Sequence, residues 1–263
     1  MPQARWLAAL LAGFPLWAAG AGTAPSYSAA SIVNSASNKA GVVTPNGLVT
    51  IYGTNLAYST YAVTAAEVAL SGSLPTAAAG VRVYIGGAQA FLYYVSPTQI
   101  NALLPAKLPE GDLELWVFRE STIGEKVKVK VVDAAPALFP TGQQTVIATH
   151  ADGSLITAEN PARAEEIIVL YAVGLGRTVP DVISGCPPTT AIPIRRRSEF
   201  RVRVAGEDLE DSMILYAGVA PGFAGLYQVN VRLPATLPAN PDIQLAIADQ
   251  PSAALSLPVA KVE

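Results

Sequence analysis

The sequence holds a single cysteine, Cys186, and a single histidine, His150, among 263 residues. One cysteine excludes an intramolecular disulfide, so the folded chain relies on packing alone. One histidine with no cysteine beside it excludes a Cys/His zinc site. A Ser-His-Asp triad would need its serine on a strained elbow, and no G-x-S-x-G occurs. Charge is also scarce: 14% of residues are charged against 51% hydrophobic, the reverse of a disordered composition. Lys+Arg number 17 and Asp+Glu 20, so no basic excess exists to neutralise a phosphate backbone, and nucleic acid is excluded as a partner. Beyond the N-terminal segment no apolar run is long enough to span a bilayer.

What is present begins with an export signal. Arg5 supplies the positive start, "WLAALLAGFPLWAA" the apolar stretch, and Ala19-Gly20-Ala21 a small-residue cleavage site. Cleavage is expected after Ala21, making residues 1–21 a signal peptide; Pro15 interrupts the apolar run and argues against an anchor. Loss of Arg5 leaves 16 basic residues against 20 acidic ones, a net charge of −4. Cys186 lies far from the signal and cannot be a lipid-attachment site. The mature chain is expected to be secreted or periplasmic, free of the membrane.

Strict alternation then recurs along the chain, the signature of half-buried antiparallel strands. In "VRVYI", Val81, Val83 and Ile85 face one way and Arg82 and Tyr84 the other. "KVKVKVV" sets Val127, Val129 and Val131 against Lys126, Lys128 and Lys130. "LELWVF" and "FRVRV" repeat the pattern, with Leu113, Leu115 and Val117 inward in the first and Phe200, Val202 and Val204 in the second. Gly and Pro, 21 of each, punctuate the chain, and no window of helical length carries a 3.6-residue period. An all-β fold is predicted.

The chain also repeats itself. "PTQINALLPAKLP" is echoed by "GLYQVNVRLPATLP", with Gln228, Asn230, Pro234, Leu237 and Pro238 lying 129 residues beyond Gln99, Asn101, Pro105, Leu108 and Pro109. "VTIYGTNLA" resembles "IVLYAVGLG" at an offset of 119, which also aligns Gly87 with Gly206. A ten-residue insertion around "AGVAPGFAG" accounts for the change of offset. The prediction is two tandem immunoglobulin-like β-sandwiches related by internal duplication, one over residues 26–133 and one over 134–263, each near the usual size of such a domain. The junction "VVDAAPALFPTGQQ" is short, apolar and proline-stiffened. Leu138 and Phe139 are therefore expected to be buried at the start of the second sandwich or at the seam.

"IVNSASNKAGVVTPNGLVTIYGTNLA", "VYIGGAQAFLYYVSPTQINALLP", "DGSLITAENPARAEEIIVLYAVGLG" and "LYAGVAPGFAGLYQVNVRLPA" together resemble the Solibacter-type uncharacterised C-terminal domain of exported acidobacterial proteins. The segment "VTIYGTNLA" is also similar to the opening strand of IPT/TIG immunoglobulin-like domains. The resemblance implies a paired β-sandwich, brings no catalytic residue and implies no cofactor. Such domains usually follow a large N-terminal region, whereas here the export signal runs straight into the module, which is expected to act alone or to recruit a partner.

Several side chains merit a functional reading beside a structural one. Gln99 and Asn101, and likewise Gln228 and Asn230, stand two residues apart on a strand and leave by the same face. They could grip a ligand; the favoured expectation is a polar latch, holding loop backbone that would otherwise be buried without partners. Tyr58, Tyr61 and Trp116 are the aromatic candidates for stacking on sugar rings, against packing beneath loops. Arg195, Arg196 and Arg197 could bind an anionic surface, against a solvated loop. Asp152-Gly153 reads as a β-turn with His150 exposed beside it. Asp152, Glu159, Glu165 and Glu166 do not have the spacing of a calcium loop and read as solvated charges. The resulting expectation is an exported, non-enzymatic interaction or structural module that needs no metal or cofactor and has a cell-envelope protein or polysaccharide as partner. A carbohydrate-binding module and a hydrolase with a dispersed carboxylate pair are the alternatives.

Overall fold

The computed structural model describes residues 23–142 and 144–260; the expected export signal lies outside them. The alternating stretches pair into two sandwiches. In the first, one sheet runs in the order Ile32–Asn34, Leu48–Tyr52, Gln99–Leu103, Phe91–Val95, Tyr61–Ala62. Its partner sheet runs Val42–Val43, Val127–Val131, Gly111–Arg119, Val81–Ile85, Ala88–Gln89. The inward residues of the alternation close the core between them: Ile51, Val83, Leu92, Ile100 and Leu115 are fully buried. Each such side chain contributes about 1.5–3 kcal/mol by leaving water.

The second sandwich has the same plan. Ile167–Val173, Tyr227–Arg232 and Ile214–Val219 stand side by side, flanked by Ala137–Leu138 and Ile192–Pro193. Opposite them Phe200–Val204 pairs with Asp242–Ile247, which also pairs with Leu255–Ser256. Leu170, Phe200, Val202, Val229 and Leu245 fill this core. The strands of Gln99 and Gln228 occupy the same central position, facing Tyr52 and Tyr171. Even the irregularity recurs: a bulge falls between Leu92 and Tyr94 in the first sandwich and between Ile214 and Tyr216 in the second.

The expected single insertion is split in two. The offset between matched positions of the two sandwiches is 119 residues at Tyr52 and Tyr171, 122 at Tyr94 and Tyr216, and 129 at Gln99 and Gln228. The first step coincides with the extra 3-10 turn Asp211–Met213. The second, larger step falls in the loop 220–226, between two strands whose registers are otherwise matched. A sequence offset cannot resolve the two, because the intervening strand is short and its residues differ.

The sandwiches meet over a packed seam. Leu74, Leu103 and Ala224 form a buried cluster with Leu48, Phe91 and Tyr93 against it, and Ala36, Ala137 and Val173 form another, against which Phe139 packs only half-buried rather than buried as expected. Leu138 lies instead in the second core. Hydrogen bonds cross the seam in several places. The Leu74 amide donates to Gly185 O (2.8 Å), the Ala106 amide to Ser184 Oγ (2.9 Å), and Arg177 to Leu108 O (2.9 Å). At the centre, Asn46 Nδ2 donates to the Tyr227 hydroxyl at 3.2 Å, and that hydroxyl donates to Gly176 O. Tyr227 is completely buried, and burial raises the pKa of its phenol well above the ordinary value.

Two outcomes follow from this seam. Small-angle scattering of a chain starting at Gly22 is expected to fit one interdomain arrangement, and a broad spread of interdomain distances would contradict it. Tyr227→Phe leaves the buried Asn46 amide and Gly176 carbonyl without their partner and is expected to cost about 1–3 kcal/mol in urea unfolding.

Candidate functional site

The seam opens on one side into an apolar cleft of about 440 Å³. Its first wall is the short helix Ala65–Ser71 with the flanking residues Val63 and Leu74. Thr64 caps this helix, its hydroxyl accepting from the Glu67 amide while the Glu67 carboxylate accepts from the Thr64 amide and hydroxyl, and Gly72 ends it at φ 76°. No helix was predicted from periodicity, since the element spans only 7 residues. The Thr64-x-x-Glu67 capping pair followed by Gly72 was the signal that could have revealed it. The opposite wall comes from the second sandwich: Pro187, Thr189 and the loop bearing Gly222, Phe223 and Ala224. Tyr93 forms the floor, its hydroxyl donating to Ala224 O at 2.6 Å and its pKa pushed up to about 12 by burial. Phe223, on the larger of the two insertions, is 57% exposed at the rim.

The amide pairs do not act as the expected backbone latch. Gln99 Nε2 donates to Asn101 Oδ1 at 2.8 Å, and Gln228 Nε2 donates to Asn230 Oδ1 at the same distance. Neither pair reaches loop backbone in any hydrogen bond recorded among the described residues. The reason is geometric: both side chains leave the outer face of a central strand, where neighbouring strands rather than loops stand beside them.

Each of the three arginines stands beside a carboxylate. Arg195 pairs with Asp181 (2.6 Å), Arg196 with Glu199 (2.9 Å), and Arg197 with Asp211 (2.7 Å). Each positive charge thus has a carboxylate brought to it from its own loop or a neighbouring turn. The aromatic candidates do not form a common platform. Trp116 stacks on Tyr84 with ring centroids 5.2 Å apart, and the Lys126 ammonium covers the indole at 4.7 Å. Tyr61 bonds to Glu67. Tyr58 lies over the buried Arg119 guanidinium, 4.0 Å from its ring centroid. Arg119 in turn donates to Asn55 O and Thr23 O, tying down the start of the described chain. Its Nε is the one buried side-chain polar atom without a partner among the described residues.

His150 departs from its expected exposure. The Asp152-Gly153 turn forms, with Gly153 at φ 87°. However, the imidazole is only 14% exposed, bonded through Nδ1 to Glu166 and through Nε2 to Asn160 O. The loop after the turn folds back, so the carboxylate ahead of the Ile167–Val173 strand reaches the ring. Around them Asp152, Ser154, Arg163 and Glu165 complete a polar hollow. Cys186 is half-buried and unpaired. Among the described residues no group of three or more His, Cys, Asp or Glu is placed to hold a metal ion.

A family model described as the IPT/TIG domain matches residues 31–132, supporting the immunoglobulin-like resemblance of the first sandwich. No curated protein matches the sequence significantly. Solved structures similar to the chain include a surface glycan-binding protein of Bacteroides ovatus bound to a mixed-linkage heptasaccharide, at 11% identity and TM-score 0.34, over 83% of this chain and 42% of that one. Another is a surface glycan-binding protein of Prevotella bryantii, at 11% identity and TM-score 0.27, over 88% of this chain and 41% of that one. The chain therefore spans less than half the length of either.

The Glu166 hydrogen bond holds the His150 pKa above its ordinary value. A folded pKa raised above the unfolded one means that this contact stabilises fully below the unfolded pKa, about 6.5. Its contribution fades as pH rises through the raised folded value. Because His150 is the sole histidine, its imidazole resonance can be followed directly by NMR. Glu166→Gln is expected to move its titration back down towards the ordinary value, and an unchanged midpoint would remove Glu166 as the cause.

Proposed function

We propose that the protein is a non-enzymatic interaction module of the cell exterior, and that the seam cleft receives an uncharged, apolar group of its partner. The observation that carries this reading is the loop 220–226. The second sandwich is longer than the first there, and that loop supplies Phe223 and Ala224 to a cleft that one sandwich alone would not form. Clefts between domains are common ligand sites, usually apolar with few polar groups.

The chemistry of the lining supports an apolar occupant. No Asp, Glu, Lys, Arg or His lines the cleft, which also gives no support to a dispersed carboxylate pair there. Its polar groups are largely engaged within the protein: the Tyr93 hydroxyl with Ala224 O, and the Thr64 hydroxyl with Glu67. The amides of Val63, Val68, Gly72, Leu74, Gly222 and Phe223 all donate to backbone carbonyls. A hydroxyl-rich ligand would lose water without finding partners.

The test uses the uncharged fluorophore N-phenyl-1-naphthylamine as probe. The mature chain is expected to enhance its emission saturably. Ala69→Trp, at an exposed position of the lining, is expected to weaken binding at least tenfold by filling the cleft without touching either core. No enhancement, or equal binding by that variant, would reject the reading.

A further inference from the structure

Both sandwiches carry the same uncharged polar row on an outer sheet face. In an antiparallel pair, directly opposed residues point to one side. Tyr52 opposes Gln99 and Tyr94 opposes Asn101, so the first row reads Tyr52, Gln99, Asn101, Tyr94. Tyr171 opposes Gln228 and Tyr216 opposes Asn230, giving the second row in the same order. Tyr52 is 41% exposed, and the four amide side chains are half-buried.

Packing explains repeated core residues, but it does not explain these amides. Each pair is hydrogen-bonded within itself, and among the described residues neither pair's side chains make a hydrogen bond to a neighbouring strand. Each amide group carries a carbonyl acceptor and an NH₂ donor. Whichever way the two groups are turned, the internal bond leaves one acceptor and one donor side by side on the solvent face. A donor and an acceptor side by side suit two adjacent hydroxyls, and a tyrosine ring at each end offers an apolar face to a sugar's C–H groups. None of the eight side chains is charged.

We propose that these two rows are binding sites for a neutral glycan, which each amide pair recognises through vicinal hydroxyls and the tyrosines through stacking. The sites are separate from the seam cleft and do not depend on it.

Native electrophoresis of the mature chain in gels containing mixed-linkage β-glucan, xyloglucan or dextran tests this, with alginate as the charged comparison. Retardation is expected in at least one neutral gel and not in alginate. Gln99→Ala with Asn101→Ala, combined with Gln228→Ala and Asn230→Ala, is expected to weaken retention at least tenfold with the melting temperature unchanged. Should that variant fold poorly, Tyr52→Ala with Tyr171→Ala provides the second variant, with the same loss expected. Free migration in every neutral gel, retardation by alginate alone, or retention undiminished in the variants would overturn the proposal. A loss matched by a fall in melting temperature in both variants would also overturn it, returning these side chains to a structural role. Ala69→Trp is expected to keep full retention, which separates failure of this proposal from failure of the cleft.

Discussion

The seam is the constraint on which the rest of the molecule depends. The first sandwich carries Leu48, Leu103 and Phe91 on the outer side of a sheet, where a solitary domain would expose them to water. Leu103 is fully buried there, worth about 1.5–3 kcal/mol, and Leu48 and Phe91 are partly covered, which favours a fixed partner over a tethered one. The cover must come very close. A Cβ on Gly185 would lie 2.2 Å from Phe91 Cδ1, and one on Gly225 would lie 2.4 Å from Leu103 Cδ1, and both glycines sit in the left-handed region, at φ 78° and 77°. Apolar contact alone would leave the relative angle free to slide. The directional chain from Asn46 through the Tyr227 hydroxyl to Gly176 fixes it, since a buried donor displaced from its acceptor has no water to turn to.

With that angle fixed, the cleft becomes a property of the pair rather than of either sandwich. One wall is a capped helix lying between two strands of the first domain, and the other is the loop in which the second domain is longer than the first. The two sandwiches agree in sheet order, central register and bulge. They differ at the wall of the cleft and at the turn Asp211–Met213. Agreement is what two cores of the same plan require, while the departure at the cleft builds the seam through buried Ala224 and the cleft wall through exposed Phe223.

Local patterning accounts for what could be read without coordinates. Alternation in "VRVYI", "KVKVKVV" and "FRVRV" told which residues face inward, because strand periodicity is a property of neighbouring residues. The echo of Gln99 and Gln228 told that two strands hold equivalent places. What could not be read depends on segments distant in the chain: the pairing of Arg197 with Asp211, the reach of Glu166 to His150, and Trp116 clasped between Tyr84 and Lys126. The latch failed for a related reason. The spacing of Gln99 and Asn101 correctly put both on one face, but spacing does not reveal whether a loop or open solvent lies above that face.

The cleft and the amide rows have opposite chemistry for one physical reason. In the cleft, polar groups are tied to backbone and the surface left over is apolar; on the outer faces, the amides bond each other and keep one donor and one acceptor for the solvent side. What the two share is the absence of charge. Each residue of the basic stretch Arg195 to Arg197 is matched by a carboxylate, so no strong field extends from it. Surface ion pairs of that kind add little stability, yet they balance the local charge. Recognition by either surface would then rest on shape, burial and hydrogen bonds. Its affinity should therefore change little with ionic strength, unlike that of a module whose partner is held by long-range charge.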